Sequence, residues 1–293
     1  AKNWEEFRDA CTYFNIPGEN MVWADKYGDI GWQAVGIAPI RKSHSGLVPV
    51  NGNGKYDWNG YLPIIEKPNL YNPEKGYIST ANQNVTPDDY KRWDAVGFDW
   101  SDPYRGNRIN SLIESKNKFN MDEMINLQVD YYSIPSEQII KLASGKISNN
   151  LNYFEKLKNW NNILDKNSIA AGIYIEWQTQ IYLEFVNKFV PKSVRQYLDV
   201  QIFRIIENIS KMNNSYRAEF LEKTFDAAIV SLKERYGEDS ENWIYGQDDY
   251  KHVKINHPLE NVVNDSIKKI VELKSYPRGG DGFTPGSTSS ELN

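Results

Sequence analysis

The sequence has little of what most reaction centres are built from. A single cysteine, Cys11, stands among 293 residues, which excludes an internal disulfide framework and leaves the redox compartment undecided. The three histidines, His44, His252 and His257, lie far apart, and His44, set between Ser43 and Ser45, reads as a loop residue rather than a base. There is no Gly-x-Ser-x-Gly elbow, no phosphate loop, no His-Glu-x-x-His and no cluster of Cys and His, so the common signatures of hydrolases, nucleotide-binding enzymes and zinc enzymes fall away. No run approaches the ~18 consecutive apolar residues of a membrane helix, and the opening Ala-Lys-Asn-Trp-Glu-Glu lacks an apolar leader core. No membrane partner is expected. Neither sign of charge prevails, with a formal net charge of -5 and 25% charged residues, so a nucleic-acid partner is not expected either.

What is present is enough apolar material for a core, 40% of residues, and a heavy aromatic load of nine Trp, 19 Tyr and 11 Phe. Such rings form sugar- or acyl-binding walls as well as core, and core is the better reading for most of them. Asn3 and Glu6 have capping-box spacing, and Trp4, Phe7, Cys11 and Phe14 recur every three or four residues, which predicts an amphipathic helix ended by Asn15-Ile16-Pro17-Gly18. Residues 21–25 and 30–36 read as two strands joined by a Gly28 turn. Residues 39–103 are rich in Gly, Pro, Asn and Trp, with only short strand-like pieces such as 76–81. Long irregular stretches of this kind are usually functional.

After Tyr104 the period becomes helical. Ile109, Leu112 and Ile113, then Met121, Met124 and Ile125 behind an Asn120/Glu123 cap, and then a long run over 169–190 stopped by Pro191 predict helices, with more around 193–209 and 216–236, the last closed by Gly237. The expected organisation is a sheet-and-loop part over 1–103, a helical part over 104–277 and a loop-like tail over 278–293, an α+β chain without internal repeats. Asp25 and Asp29 around Gly28 invite a calcium-loop reading, but Ile30 stands where an EF-hand needs glycine, and the hairpin turn is preferred. The acid pairs Asp88-Asp89 and Asp248-Asp249 read as solvated carboxylates rather than a glycosidase pair.

The irregular stretch carries a family resemblance. Lys2-Asn3-Trp4, Trp23-Ala24-Asp25, Gly28-Asp29-Ile30-Gly31, Pro49-Val50, the block Gly54-Lys55-Tyr56-Asp57-Trp58-Asn59-Gly60-Tyr61-Leu62-Pro63, Tyr71-Asn72-Pro73, Gly76-Tyr77-Ile78 and Thr80-Ala81-Asn82 resemble the penicillin acylase family in order and spacing over residues 2–113. Asn242-Trp243 and His257-Pro258-Leu259 extend the resemblance more weakly. It implies a share of a four-layer αββα N-terminal nucleophile hydrolase, in which autoproteolysis of a zymogen frees a serine whose own amine is the base. Ala1 has neither hydroxyl nor thiol. The nucleophile, the α chain and the N-terminal part of the β chain are therefore expected outside this chain, as its partners, with a small-molecule amide as substrate and an exported or periplasmic setting.

The resemblance also assigns roles. It places an oxyanion-hole amide at Asn82, with Asn84 as the competitor if the gap falls elsewhere; the ordinary reading of either is a turn residue. One such donor is worth roughly 100- to 1000-fold in rate. It places an orienting guanidinium at Arg105, five residues after Trp100, suited by its planar fork, whereas Arg108 reads as a surface helix residue. Glu19, with Asn20 beside it, falls at the acyl pocket, and a carboxylate there is either solvated or meets a polar or cationic acyl group. No cofactor is implied for catalysis. A structural calcium is implied, with Asp94 as a carboxylate ligand and the carbonyl near Gly46 as a second contact. Two readings from other classes stand beside this one: a carbohydrate-binding or glycosidase domain, suggested by residues 56–61 and the Trp content, and a non-catalytic scaffold.

Overall fold

The computed structural model describes residues 1–248, 250–253, 257–272 and 275–287. The chain divides into two compact units, Ala1–Ser101 and the residues from Asp102 onward.

The first unit opens with α1 (Trp4–Cys11). Asn3 caps it as expected, its side chain accepting from the Glu6 N–H at 2.8 Å, but the Glu6 carboxylate reaches back to the Lys2 N–H rather than to Asn3. The cap is thus one residue out of the predicted box. The hairpin forms as β1 (Asn20–Ala24) and β2 (Ile30–Ala34), antiparallel with Val22 opposite Trp32. Its turn is an Asx turn, with Asp25 Oδ1 accepting from the N–H groups of Tyr27 and Asp29 and Gly28 at φ +100°. That geometry bears out the turn. The short pair β3 (Ala38–Pro39) and β4 (Tyr61–Leu62) follows, and β5 (Asn69–Tyr71) joins β2 to complete a three-stranded sheet of order β1-β2-β5. A one-turn helix, α2 (Trp93–Val96), ends the unit. Residues 76–81, expected to be strand-like, lie outside every described sheet.

Apolar closure here is slight. One cluster joins Cys11, Val35 and Ile64, another Ala38, Leu62 and Ala95. Burial pushes the Cys11 thiol pKa up, which marks it as packing rather than nucleophile. Polar staples do the rest. Buried Gln33 binds Arg8 through Oε1 and the Ile64 carbonyl through Nε2, and Lys67 Nζ donates to the Val35 and Gly36 carbonyls, its pKa lowered by desolvation. Asn72 accepts from the Ile30 N–H at 2.9 Å and donates to Asp29 at 2.8 Å, so the Tyr-Asn-Pro segment is a clasp on the hairpin. An aromatic stack of Tyr71, Trp4 and Phe7 covers one sheet face.

The second unit is helical: α3 (Tyr104–Glu114), α4 (Met121–Gln128), α5 (Ile134–Ala143), α6 (Leu151–Lys158), α7 (Ile169–Phe189), α8 (Ile202–Lys211), α9 (Asn214–Tyr236) and α10 (Asp265–Val271), with a two-stranded β6 (His252–Val253) and β7 (Tyr276–Pro277). The Asn120/Glu123 capping box is complete, and Gly237, at φ +84°, closes α9. One continuous cluster buries Trp177, Ile181, Phe225, Ile229 and Trp243 among many others. Close packing of α7 depends on Gly172, where an added Cβ would fall 2.0 Å from the Trp243 carbonyl oxygen.

Two expectations change here. The helix foreseen from residue 193 begins at Ile202, after a single 3-10 turn at Arg195–Tyr197. Arg108 is an internal strut rather than a surface residue: its guanidinium grips Asp130 at 2.7 and 2.9 Å and lies over the Tyr132 ring. Asp248 is exposed, as expected of a solvated carboxylate, with His252 Nδ1 at 2.7 Å; Asp249 lies outside the described residues. The described part of the tail is irregular but embedded. Gly279, Gly280 and Gly286 close on the Tyr131 ring, where an added Cβ would come within 2.5–2.7 Å of ring carbons, and Gly280 and Gly286 donate to the carbonyls of Leu164 and Asp130.

Candidate functional site

In the first unit, Glu19 and Asn20 enter β1. The Glu19 carbonyl accepts from the Val35 N–H at 2.9 Å, and the Asn20 side-chain oxygen accepts from the indole of buried Trp32 at 2.8 Å. Both residues are exposed, so the Glu19 carboxylate meets solvent in this chain and carries no burial cost.

Asn82 is also exposed and adopts a left-handed conformation, φ +65°, a region that asparagine tolerates better than most residues. Its carbonyl accepts from the Ser101 N–H at 3.1 Å. The preceding Ala81 N–H donates to Gln83 Oε1 at 2.6 Å, so the chain is bonded on both sides of Asn82. Asn84, two residues on, makes an Asx turn, its Oδ1 accepting from the Thr86 N–H at 3.0 Å. Gln83 carried no signal in the sequence; only a side chain reaching back across the turn reveals it.

Arg105 lies on α3 of the second unit, half-buried. Its helix is fixed on either side: Tyr104 is buried and donates to Gln138 Oε1 at 2.8 Å, and Arg108 holds Asp130.

Asp94 and Gly46 do converge, on Arg41. The Arg41 N–H donates to the Asp94 carbonyl at 3.4 Å and its guanidinium to the Ala95 carbonyl at 3.2 Å. Gly46, at φ +80°, lies against the same side chain, so that a Cβ there would fall 2.7 Å from Arg41 Nε. The Asp94 carboxylate itself takes two hydrogen bonds from Arg92 at 3.1 and 3.2 Å, which hold its pKa below the usual carboxylate range. Arginines therefore supply the positive charge around both residues, and among the described residues no group of three or more His, Cys, Asp or Glu could hold a metal. These side chains as arranged do not fit a calcium ion. Taken one by one, Asn82 offers an amide donor, Arg105 a guanidinium and Glu19 an exposed carboxylate, groups suited to binding and stabilising charge.

The chain is 38% identical over 125 residues to penicillin G acylase of Escherichia coli, a match covering 42% of this chain and 14% of that protein. It is 25% identical over a 330-residue alignment to the acyl-homoserine lactone acylase QuiP of Pseudomonas aeruginosa, covering 97% of this chain and 38% of that one. Penicillin acylase 2 proenzyme of a Pseudomonas species is 30% identical over 134 residues, 45% of this chain and 17% of that one. In fold, the chain resembles the solved thermostable penicillin G acylase from Alcaligenes faecalis, with a TM-score of 0.65 and 20% identity over 83% of this chain and 51% of that one. The chain thus spans well under half the length of these curated relatives and about half of the solved neighbour. The penicillin amidase family matches residues 1–293, the whole chain, and the chain belongs to that family.

Proposed function

We propose that this chain is part of an amidohydrolase that cleaves the linear amide bond of a small N-acyl compound, of the kind its relatives' names describe, penicillin G or an acyl-homoserine lactone. The serine nucleophile lies outside this chain, on a partner segment released from a proenzyme, as in the relative so named. The sheet β1-β2-β5 is part of a four-layer αββα body completed by that segment and the α chain. Serine Oγ attacks the amide carbon while the serine's own amine takes its proton; the carbonyl oxygen becomes an oxyanion, the C–N bond breaks as the amine leaves with that proton, and water then hydrolyses the ester. Asn82 donates its side-chain amide to the oxyanion, Arg105 serves as the orienting guanidinium, and Glu19 and Asn20 border the acyl group.

The family match over the whole chain carries this reading. Asn82 is favoured over Asn84 by its spacing from Gly76-Tyr77-Ile78 in the family resemblance. The carbohydrate-binding alternative loses the part of its support that came from Trp content, since Trp32, Trp177 and Trp243 are fully buried, whereas Trp58 and Tyr61 of the segment that suggested it are exposed. In the intact processed enzyme Asn82→Ala should lower kcat about 100- to 1000-fold while KM changes little, because the amide meets a charge present only in the transition state. Steady-state kinetics on a chromogenic phenylacetyl amide decide the point: loss with Asn84→Ala but not Asn82→Ala would sink the assignment. Residues 1–293 alone should show no turnover of the same amide.

A further inference from the structure

We infer that Gln83 is a positioning residue for Asn82, an inference that rests on the oxyanion role proposed above. Asn82 sits at φ +65°, a conformation that L residues keep only where the surroundings fix it. Two hydrogen bonds bracket it. On the far side, the Ser101 N–H holds the Asn82 carbonyl at 3.1 Å. On the near side, Gln83 Oε1 takes the Ala81 N–H at 2.6 Å.

The near-side bond matters because Ala81 is buried, with 7% of its surface exposed. Its N–H has little access to water, and a buried donor without an acceptor forces the backbone to move until it finds one. The acceptor comes from a side chain two residues on, so the bond spans Asn82 and closes the turn over it. Removing the Gln83 oxygen frees the Ala81 peptide and loosens the turn on the near side of Asn82. An oxyanion donor works only when its hydrogen is already aimed, and displacements near 1 Å cost on the order of 100-fold in rate. Gln83 needs no contact with substrate to exert this effect.

The test is a double-mutant cycle in the intact processed enzyme on a chromogenic phenylacetyl amide. Gln83→Met keeps length and removes the acceptor. In the wild-type background it should lower kcat about 10- to 100-fold with KM within about 2-fold; in the Asn82→Ala background it should change kcat by less than about 2-fold, because the residue through which it acts is gone. An equal loss in both backgrounds, or no loss in the wild-type background, overturns the inference. Hydrogen exchange of the wild-type protein tests the clamp without any variant: the Ala81 amide should be protected, and exchange at the free-peptide rate overturns it. If Asn82→Ala leaves kcat unchanged, the oxyanion reading itself falls and this inference with it. An Asn82→Ala loss without a Gln83→Met loss removes only the inference.

Discussion

The two units reach order by different means. From Asp102 onward, one apolar cluster runs through α5 to α9, and Ile139, Ile173, Ile181, Ile205, Phe225 and Leu232 are all essentially without exposure. In residues 1–101 the two clusters have three buried members each, and the long loops are held by Gln33, Lys67, Asn72 and Asp25 instead. The first kind of order resists unfolding, because apolar burial adds over a large area. The second fixes positions within a hydrogen-bond length while contributing about 1 kcal/mol per bond. The residues proposed to meet substrate, Glu19, Asn20 and Asn82, all lie in the second kind, where exposed backbone and precise placement coexist.

The contrast is sharpest under core truncation. Phe225→Ala should cost about 3–5 kcal/mol, since Phe225 is fully buried between Phe154 and Trp177 and a cavity there has rigid walls. Leu62→Ala, equally buried but in a three-residue cluster, should cost about 2 kcal/mol, the low end for a site that can collapse. Urea titration followed by circular dichroism for the helices and by segment-resolved hydrogen exchange for residues 1–101 compares them; equal costs would mean that the small clusters do more than their size suggests. Gly172→Ala sharpens the point further. In an isolated helix this change stabilises by up to about 1 kcal/mol, yet here it should destabilise by about 1–3 kcal/mol, because the new methyl meets the Trp243 backbone.

Legibility in the sequence follows the same division. α7 and α9 were readable because their signals are local: Ser168 and Asn213 cap them, and Pro191 and Gly237 follow them. The hairpin was readable for the same reason. The start of α8 was not, because its own cap residue, Gln201, makes no capping bond and the donor at Phe203 is satisfied by Asp102 from far upstream, at 3.1 Å. α6 was missed because Asn150 precedes it in a left-handed conformation with no capping side chain. Arg108 was misread because its partner, Asp130, is 22 positions away. Asn82 came from spacing shared with a family, and its turn from residue type; the Gln83 clamp came from neither, since i to i+2 side-chain bonds of Gln leave no regular pattern.

Two buried groups should give the stability of the helical unit limbs of opposite slope on either side of neutral pH. Asp281 is buried beside Tyr174 and Tyr245, with Lys251 the cation facing it, and burial pushes its pKa up to about 6. Burial brings Lys251 down to about 8. A carboxyl raised in the folded state binds more protons folded than unfolded, so stability falls as pH rises from about 4 to about 6. An amine lowered in the folded state binds fewer, so stability rises from about pH 8 towards 10.5. A trough between about pH 6 and 8, on the order of 2 kcal/mol deep, should appear in urea midpoints of the helical transition. Asp281→Asn should flatten the acid limb and Lys251→Met the alkaline one; a limb that survives its own substitution belongs to another group.

The smallest expected effect separates the units most directly. Asn3 and Asn213 make the same cap, accepting from the N–H three residues on at 2.8 and 2.9 Å, and either change to Ala removes about 1 kcal/mol of local stabilisation. α1 has eight residues, two of them buried, and a helix that short is marginal without support. Losing the cap should therefore be felt along its whole length, accelerating exchange of all its protected amides about fivefold. α9 has 23 residues and buries Phe220, Leu221, Thr224, Phe225, Ala228, Ile229 and Leu232, so its centre opens only when the core does. Asn213→Ala should speed exchange in the first turn and leave the amides from Thr224 to Leu232 within about twofold of wild type. If those central amides accelerate as much as the first turn does, the helix opens as one piece from its end, and the core of the second unit holds it less firmly than its burial implies.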